Sequence, residues 1–435
     1  MDDIFSKKEP FIIENVFANE KNADIFIDAD GRIGSIGPGT AKKCKGDAAF
    51  SIDGKGALAL PGLVNTHTHA AMTLLRGYAD DMPLQEWLTG KIWPLEANLT
   101  GKDVYLGTKL ACLEMIRSGT TAFNDMYFFM EDAARAVDEM GIRATLAYGF
   151  IDLFNADKRE HEIKATEHMV KTIRAMNNQR IQPALGPHAI YTVSPEGLKW
   201  IAGFSSEEKL PVHVHLSETE KEVNDAVSQW NKRPAEILDE CGILGDRTIA
   251  AHCCWLSRDE CALLGKRGVH VSHNPVSNMK LAVNRAMPYH WLKEDGVNVC
   301  LGTDGCASNN NLDLFEEMKV AALLQKFSWN SQTLLPAGEA LHMATAAGAR
   351  ALGLGTGVLS AGSPADLILV SRHTACNTPF HNPVSNLVYS CNGSSVDTVI
   401  CNGRVLMHER VIPGEEKILA EASDAAFDLV KRTTQ

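Results

Sequence analysis

The chain has 435 residues, of which 45% are hydrophobic and 22% are charged, and its formal net charge is -12. This is an ordinary globular composition with an acidic excess and no Lys or Arg run, so we expect neither a disordered chain nor a nucleic-acid partner. The 11 cysteines are scattered without a Cys-x-x-Cys pair, which is typical of reduced thiols in a cytoplasmic protein.

The first residues lack the basic segment and the apolar core of a signal peptide. No stretch of the chain reaches the ~18 uncharged apolar residues that a membrane helix requires. We therefore expect a cytoplasmic protein with no leader and no membrane partner.

Both ends of the chain carry short apolar runs that are separated by turn residues. These runs lie at 11–13, 24–28, 33–36, 365–370, 396–400 and 405–407. Such a pattern predicts hairpin strands. Neither end is long enough to enclose a core alone, so we predict that residues 1–59 and 361–435 form one small composite β-sandwich.

The region between them, residues 60–360, alternates apolar runs with helical patterns. The apolar runs lie at 63–68, 120–126, 143–150, 181–187, 210–216, 248–254, 269–273 and 299–303. Helical periodicity fills segments such as 103–118, 130–140, 160–176 and 195–202. Eight strands with intervening helices predict an α/β fold, a (β/α)8 TIM-like barrel of roughly 250 residues or more.

Residues that can bind a metal or move a proton follow six of the predicted strands. They are His67 and His69, His188, His213 and His215 with Glu218, His252, His273, and Asp304. Barrels of this type place their active sites at the C-terminal ends of the strands. Because buried imidazoles and carboxylates cost free energy unless they are paired or metal-bound, this grouping predicts one shared site.

The spacing of the histidines indicates a metal ligand set. His67 and His69 alternate on one strand, so their side chains project from the same face. His213 and His215 share a face on strand five, and the position of His215 nearer the strand end favours it over His213 as the third nitrogen ligand. With Asp304 as the carboxylate, this set suits Zn²⁺, with Fe²⁺ as the alternative.

One divalent metal per chain is the favoured stoichiometry, because residues 181–188 contain no lysine that could bridge two ions. Such an ion lowers the pKa of water from 15.7 to about 7. His252 and Asp304 would orient that water and take its proton. Glu218 would deliver a proton to the substrate as a general acid, or would simply be a solvated loop carboxylate.

Three segments resemble a known family. Residues 61–69, Pro-Gly-Leu-Val-Asn-Thr-His-Thr-His, followed by the eight-strand series, resemble the amidohydrolase superfamily. Residues 75–88 and 91–96 resemble, more narrowly, the deaminases of 5′-methylthioadenosine, S-adenosylhomocysteine and 5′-deoxyadenosine. The resemblance covers nearly the whole chain. It implies hydrolytic deamination of adenosine derivatives, adenosine included, to inosine derivatives and ammonia.

The resemblance also implies a role for individual residues. The implied metal ligands are His67, His69, His215 and Asp304. Glu218 would protonate the purine ring, His252 would hold the attacking hydroxide, and Asp304 and Glu218 would both contact the substrate. His188 would bind the nucleoside, Trp87 would border it, and Glu96 would accept hydrogen bonds from the ribose diol.

One departure from the family concerns the 5′ substituent of the nucleoside. Some relatives place arginines after strand three, where they meet the amino-acid tail of S-adenosylhomocysteine. Residues 150–159 here contain only Arg159, so we expect compact, uncharged 5′ groups to be accepted at least as well. We also expect a homo-oligomer, either a dimer or a tetramer.

Two other functions are compatible with parts of the pattern. Guanine deaminases and triazine hydrolases share much of the pattern, but their substrates offer no diol to Glu96. A catalytically inactive oligomeric scaffold would have lost metal ligands, whereas every expected ligand is present in this sequence.

Overall fold

A computed structural model describes residues 4–5, 8–82 and 84–434, so the outermost residues of the predicted terminal domains lie outside the described part. The strands, numbered in chain order, are β1 (Phe11–Ala18), β2 (Lys21–Ile27), β3 (Ile33–Gly37), β4 (Phe50–Asp53), β5 (Leu58–Pro61), β6 (Leu63–Thr68), β7 (Thr120–Tyr127), β8 (Arg143–Phe150), β9 (Ile181–Pro187), β10 (Val212–Leu216), β11 (Thr248–His252), β12 (His270–His273), β13 (Asn298–Leu301), β14 (Leu367–Val370), β15 (Val396–Cys401) and β16 (Arg404–Met407).

The α-helices are α1 (Thr40–Cys44), α2 (Leu84–Trp87), α3 (Trp93–Glu96), α4 (Gly101–Arg117), α5 (Met130–Met140), α6 (Ala156–Ala175), α7 (Pro195–Glu208), α8 (Glu220–Trp230), α9 (Pro234–Glu240), α10 (Arg258–Arg267), α11 (Pro275–Lys280), α12 (Tyr289–Glu294), α13 (Leu314–Ser328), α14 (Ala337–His342), α15 (Gly348–Ala351), α16 (Pro383–Tyr389) and α17 (Glu415–Thr434). Short 3₁₀ turns cover Ala70–Leu75, Ala375–Asn377 and Gly393–Ser395, and π turns cover Leu88–Ile92 and Met343–Ala347.

The strands β6 to β13 form one parallel sheet in sequence order, and helices follow each of them. The sheet closes between β6 and β13, where the Asp304 backbone N–H donates to the His67 carbonyl oxygen at 3.0 Å. Gly302 permits this closure, because a Cβ atom there would lie 2.7 Å from the His67 Cβ. The predicted (β/α)8 barrel is thereby confirmed.

The predicted strand positions agree with the observed ones to within a few residues, but several helices differ in length. α6 begins at Ala156, earlier than periodicity indicated, because the Asn155 side chain accepts a hydrogen bond from the Lys158 N–H and caps the helix. α7 continues to Glu208 and ends where Lys209 adopts a left-handed conformation.

The second sheet contains strands from both ends of the chain, in the order β16-β15-β14-β5-β1-β2-β3 with β4 beside β1. β14 pairs antiparallel with β5 in the register Leu367↔Pro61, which joins the two ends. The predicted composite β domain therefore exists, as a single hydrogen-bonded sheet that branches at β1. Its domain boundaries stay a prediction.

The two sheets meet near the N-terminal ends of the barrel strands. Arg143, the first residue of β8, donates through Nε to the buried Asp366 carboxylate at 2.7 Å. Since β5 leads directly into β6, the second sheet lies at the end of the barrel opposite the C-terminal ends of its strands.

The last helix, α17, was not anticipated and packs on the barrel rather than on the second sheet. It contacts α4, and Arg432 forms an ion pair of 2.9 Å with Asp103. In the part of the chain that the structure describes, none of the helices is both long and apolar enough to span a bilayer. A cytoplasmic location and a homo-oligomeric state stay predictions.

Candidate active site

His69 and His215 face each other at the C-terminal ends of the barrel strands. The Nδ1 atom of His69 bonds to the Met126 carbonyl oxygen at 2.6 Å, and that of His215 bonds to the His188 carbonyl oxygen at 2.7 Å. Because a carbonyl only accepts, Nδ1 carries the proton in both rings and each Nε2 offers a lone pair. The two Nε2 atoms lie 3.4 Å apart, so two lone pairs converge on one point, as a cation requires.

His67 supplies the third nitrogen. Its Nδ1 atom lies 2.7 Å from Nε2 of His213, and its Nε2 atom is buried without a hydrogen-bond partner among the described residues. Burial lowers the pKa of His67 to about 4, which keeps the ring neutral at physiological pH. His213 itself is buried in the barrel interior, where it fixes the ring of His67 rather than pointing at the site.

Asp304 supplies the carboxylate. One oxygen, Oδ1, lies 3.3 Å from His67 Nε2 and 3.4 Å from His69 Nε2. The other, Oδ2, accepts hydrogen bonds from the Ser277 and Ser308 hydroxyls at 2.6 and 2.9 Å. Burial opposes ionisation, but the pKa of Asp304 stays well below its usual value, and the hydroxyl donors together with the Gly305 backbone N–H at 2.8 Å from Oδ1 stabilise the ionised form. Asp304 is therefore an ionised, hydrogen-bonded carboxylate.

These residues fit a metal ion. The ligand atoms of His67, His69 and Asp304 all lie within 4.8 Å of one another, and so do those of His67, His215 and His252. Convergent neutral imidazoles and one carboxylate are the donors that Zn²⁺ prefers. A buried His67 Nε2 without a partner and two facing lone pairs are the polar groups that such an ion would satisfy.

His252 lies at the end of β11, beside this cluster. The Asn278 side-chain amide donates to its Nδ1 atom at 2.8 Å, and burial lowers the pKa of the ring to about 4. The neutral ring then carries its proton on Nε2, which lies 3.9 Å from Glu218 Oε2. His252 is thus arranged to donate a hydrogen bond to a water in the site.

Glu218 follows β10 and turns inward. Its side chain is only 15% exposed, whereas Glu220 two residues later is exposed. Burial and the neighbouring Asp304 charge raise the pKa of Glu218 to about 8. At neutral pH its carboxyl therefore holds a proton, and the alternative of a solvated loop carboxylate does not describe its surroundings.

Backbone strain is concentrated at these residues. Ser217, His252 and Asp304 adopt φ values of 48, 71 and 64°, a region that non-glycine residues rarely occupy. Such conformations persist only where the surrounding structure over-determines them. Here the strain turns the chain sharply at the ends of β10, β11 and β13, and it aims Glu218 and Asp304 at one point.

The residues expected to bind the nucleoside occupy two sides of the cluster. Glu96 ends α3 and is half-buried; burial raises its pKa, while the Tyr127 hydroxyl and His69 oppose that rise. The His188 ring lies 4.8 Å from the His215 ring, and its Nδ1 atom lies 2.8 Å from the Thr192 hydroxyl. Both residues therefore adjoin the ligand histidines.

Trp87 lies in the hydrophobic core, where a hydrogen bond fixes its ring. Its ring is buried in the core, and its indole N–H donates to the Ala79 carbonyl oxygen at 2.9 Å. This bond holds the loop before α2. A contact between Trp87 and the nucleoside stays a prediction.

Sequence reasoning missed several residues of the site. Ser277 and Asn278 lie in α11 after strand seven, and Ser308 lies four residues after Asp304. Their position in the segments that directly follow barrel strands was the available signal. Serine and asparagine are common in such loops for reasons of turn geometry, so their residue types alone did not distinguish them.

A cluster of imidazoles and a carboxylate at this face of a (β/α)8 barrel defines the class of barrel hydrolases that use a metal ion. A model of the amidohydrolase family matches residues 58–406. The chain therefore belongs to the amidohydrolase family, as the resemblance had indicated.

Individual relatives are similar over nearly their whole length. A 5′-deoxyadenosine deaminase of Methanoregula boonei is 68% identical over 430 residues, which cover 99% of this chain and 97% of the relative. A crystal structure of an adenosine deaminase from Xanthomonas campestris with bound zinc is 34% identical with a TM-score of 0.90, covering 97% of this chain and 99% of that one.

A crystal structure of atrazine chlorohydrolase from Arthrobacter aurescens complexed with zinc has a TM-score of 0.86, covers 96% of this chain and 100% of that one, and is 22% identical. At that identity the likeness shows the shared fold alone.

Proposed function

We propose that this amidohydrolase deaminates adenosine derivatives by hydrolysis, forming the inosine derivative and ammonia, with 5′-deoxyadenosine as a principal substrate. The observation that carries the proposal is the convergence of the ligand atoms of His67, His69, His215 and Asp304, with two further groups, His252 and Glu218, beside them. Glu218 is held protonated and Asp304 is held ionised. Such pairs mark the acid and the base of a reaction, and the high identity to a 5′-deoxyadenosine deaminase supports the substrate.

We infer that His67, His69, His215 and Asp304 hold one Zn²⁺ ion per chain. The fit of the donor atoms and the zinc in the 34%-identical adenosine deaminase support this inference. When bound, a divalent ion lowers the pKa of water to about 7 and so makes a nucleophile available at neutral pH.

The protein's own groups account for the remaining chemistry. His252 donates a hydrogen bond that orients the attacking water, and Asp304 takes a proton from it. As the water oxygen adds to C6 of the adenine ring, Glu218 gives its proton to the neighbouring ring nitrogen. The amino group then takes the proton held by Asp304 and leaves as ammonia as the C6–N bond breaks. The C6 hydroxyl returns its proton to Glu218, which leaves the C6 carbonyl of the inosine derivative. General acid and base groups of this type typically contribute 10²–10⁴-fold each.

Glu96 distinguishes nucleosides from free bases and triazines. Its carboxylate adjoins His69 and can accept hydrogen bonds from two vicinal hydroxyls. Guanine and triazines present no such diol, which favours the nucleoside over the guanine deaminase and triazine hydrolase alternatives.

Arg159 supports the preference for a compact 5′ group. Its guanidinium donates to the Ser194 hydroxyl at 3.1 Å and lies 3.8 Å from Asp152 and 4.0 Å from Glu196. Since these groups already surround it, Arg159 is poorly placed to pair with the carboxylate of an amino-acid tail.

The test is ammonia release by the zinc-loaded enzyme from 5′-deoxyadenosine, methylthioadenosine, S-adenosylhomocysteine, adenosine and guanine, together with chloride release from a chlorotriazine. We expect the 5′-modified adenosines to be deaminated and the last two to be inert. Turnover of guanine or the triazine in preference to every nucleoside would overturn the proposal. Removal of the metal with a chelator, followed by restoration with Zn²⁺, controls for contaminating activity.

A further inference from the structure

Two helices of this barrel show what an acidic residue at the third helical position ordinarily does. In α4 the Asp103 carboxylate accepts a hydrogen bond from the Thr100 N–H at 2.8 Å, and in α10 Glu260 accepts one from the Ser257 N–H at 2.8 Å. Both are capping boxes, in which the acid bonds back to the residue that caps its own helix. The corresponding residue of α8 is Glu222, but its carboxyl group bonds to the residues that precede the cap of its helix.

Glu222 reaches past its cap residue, Thr219, to the strained turn before it. Its Oε1 atom accepts a hydrogen bond from the Ser217 N–H at 2.9 Å, and its Oε2 atom accepts one from the Glu218 N–H at 2.8 Å. Its own N–H is bonded to the Thr219 hydroxyl at 3.2 Å. Each carboxyl oxygen of Glu222 therefore accepts a hydrogen bond from one of the two peptide N–H groups that precede the Glu218 side chain.

The position of Glu222 in the interior carries a free-energy cost, because a buried carboxyl group loses its contact with water. The residue is only 5% exposed, and no ion pair to it exists among the residues that the structure describes. Burial raises the pKa of Glu222 to about 8, while the hydrogen bonds from the Ser217 and Glu218 backbone N–H groups oppose that rise. The backbone N–H of Trp255 donates to the Ser217 carbonyl oxygen at 2.8 Å, so hydrogen bonds from two different segments hold the turn.

We propose that Glu222 is a positioning residue for the general acid. It fixes the left-handed turn at Ser217 and thereby aims the Glu218 carboxyl at the substrate ring. This role rests on the proposed function, because it acts only through Glu218. It requires both oxygens of a carboxyl group, since two N–H groups must be accepted at once and an amide offers one acceptor and one donor.

Glu222→Gln is the isosteric test. One of the two N–H groups would then face an amide N–H, the turn would shift, and Glu218 would leave its productive position. Misplacement of a reacting group by about 1 Å can cost ~10²-fold in rate, so we expect kcat to fall about 10- to 100-fold. The zinc content, KM and the affinity for the inosine product should stay near those of the parent enzyme, because the metal ligands and the nucleoside contacts are untouched.

Glu220→Gln is the matched control, because Glu220 lies in the same first turn of α8 but is exposed. Its kcat should equal that of the parent. A parental kcat in Glu222→Gln, or a loss of zinc and substrate affinity in parallel with kcat, would overturn the positioning role. Should Glu222→Gln fail to fold, Glu222→Asp keeps the carboxyl group but shortens the side chain, and the same split between kcat and KM is expected.

A double variant separates positioning from general support of the fold. In a Glu218→Gln background there is no general acid left to aim, so Glu222→Gln should cause no further loss of single-turnover rate. An equal fold-loss in both backgrounds would show that Glu222 merely supports the structure. If Glu218→Gln alone turned over at the parental rate, the proposed function of Glu218 would be wrong, which is a distinguishable outcome.

Discussion

Replacement of His213 tests how the metal ligand His67 is held. In the native protein Nε2 of His213 lies 2.7 Å from Nδ1 of His67, and both rings are buried. For His67 to offer Nε2 to a metal, its Nδ1 must carry the proton and His213 must accept it. His213→Phe keeps an aromatic ring but removes that acceptor, which leaves a buried N–H of His67 without a partner.

The expected magnitude follows from that lost bond. An unsatisfied buried donor costs about 1–3 kcal/mol, and 1.4 kcal/mol corresponds to a factor of ten in an equilibrium constant. Loss of a group that orients a ligand histidine typically weakens metal binding 10- to 100-fold. We therefore expect the dissociation constant for Zn²⁺ to rise about 10- to 100-fold in His213→Phe, while His213→Gln, which keeps an acceptor oxygen, should lose less.

Competition with a chromogenic chelator measures this affinity directly. Thermal unfolding of the metal-free proteins provides the control, because a general loss of stability would lower the midpoint without a selective effect on zinc. A His213→Phe protein that binds zinc within about two-fold of the parent would refute the assigned role, since tenfold is the lower bound expected for a group of this type.

Further predictions concern the general acid Glu218, recognition of the substrate ribose and the 5′ substituent of the substrate. Glu218→Gln should keep its zinc and bind substrate but lose about 10²–10⁴-fold in kcat. Near-parental turnover would contradict the role of Glu218. Because only the protonated form of Glu218 is an acid and its pKa is raised to about 8, the parental kcat should fall as the pH increases through that pKa, and a pH profile without an alkaline decline would argue against it. Glu96→Ala should remove about 1–3 kcal/mol of binding to adenosine and so lower its kcat/KM roughly 5- to 150-fold. The effect on free adenine or 2′,3′-dideoxyadenosine should be much smaller, and equal losses for all three compounds would exclude diol recognition. Since Arg159 already lies between Ser194, Asp152 and Glu196, kcat/KM for 5′-deoxyadenosine and methylthioadenosine should match or exceed that for S-adenosylhomocysteine, and a strong reverse preference would show that another group binds the tail.

The barrel could be predicted because its signal is local. Each buried parallel strand is a short apolar run, and a residue such as Asp304 follows its strand wherever the helices pack. The composite sheet was harder, since its single-sheet topology depends on the pairing of β14 with β5, which no local pattern encodes. α17 was missed for a similar reason, because its contact with α4 depends on surfaces that are far apart in the sequence.

The candidate site shows the same division. The positions of His67, His69 and His215 follow from strand alternation, so the sequence placed them on one face. The residues that hydrogen-bond to the site residues could not be identified from strand alternation. The bonds of Ser277 to Asp304 and of Glu222 to the turn at Ser217 depend on side-chain conformations and on strained backbone that residue types do not specify.

The pairing of β5 with β14 sets an order for folding during synthesis. The two strands are roughly 300 residues apart in the chain, so at ~5–20 residues per second β5 waits about 15–60 s for its partner to leave the ribosome. The barrel strands, which end at Leu301, are all available before β14 is made. Until then β5 presents an unpaired edge, and unpaired edges are sites of aggregation. Chains that stop short of Leu367 should therefore accumulate as aggregates even though they contain every metal ligand.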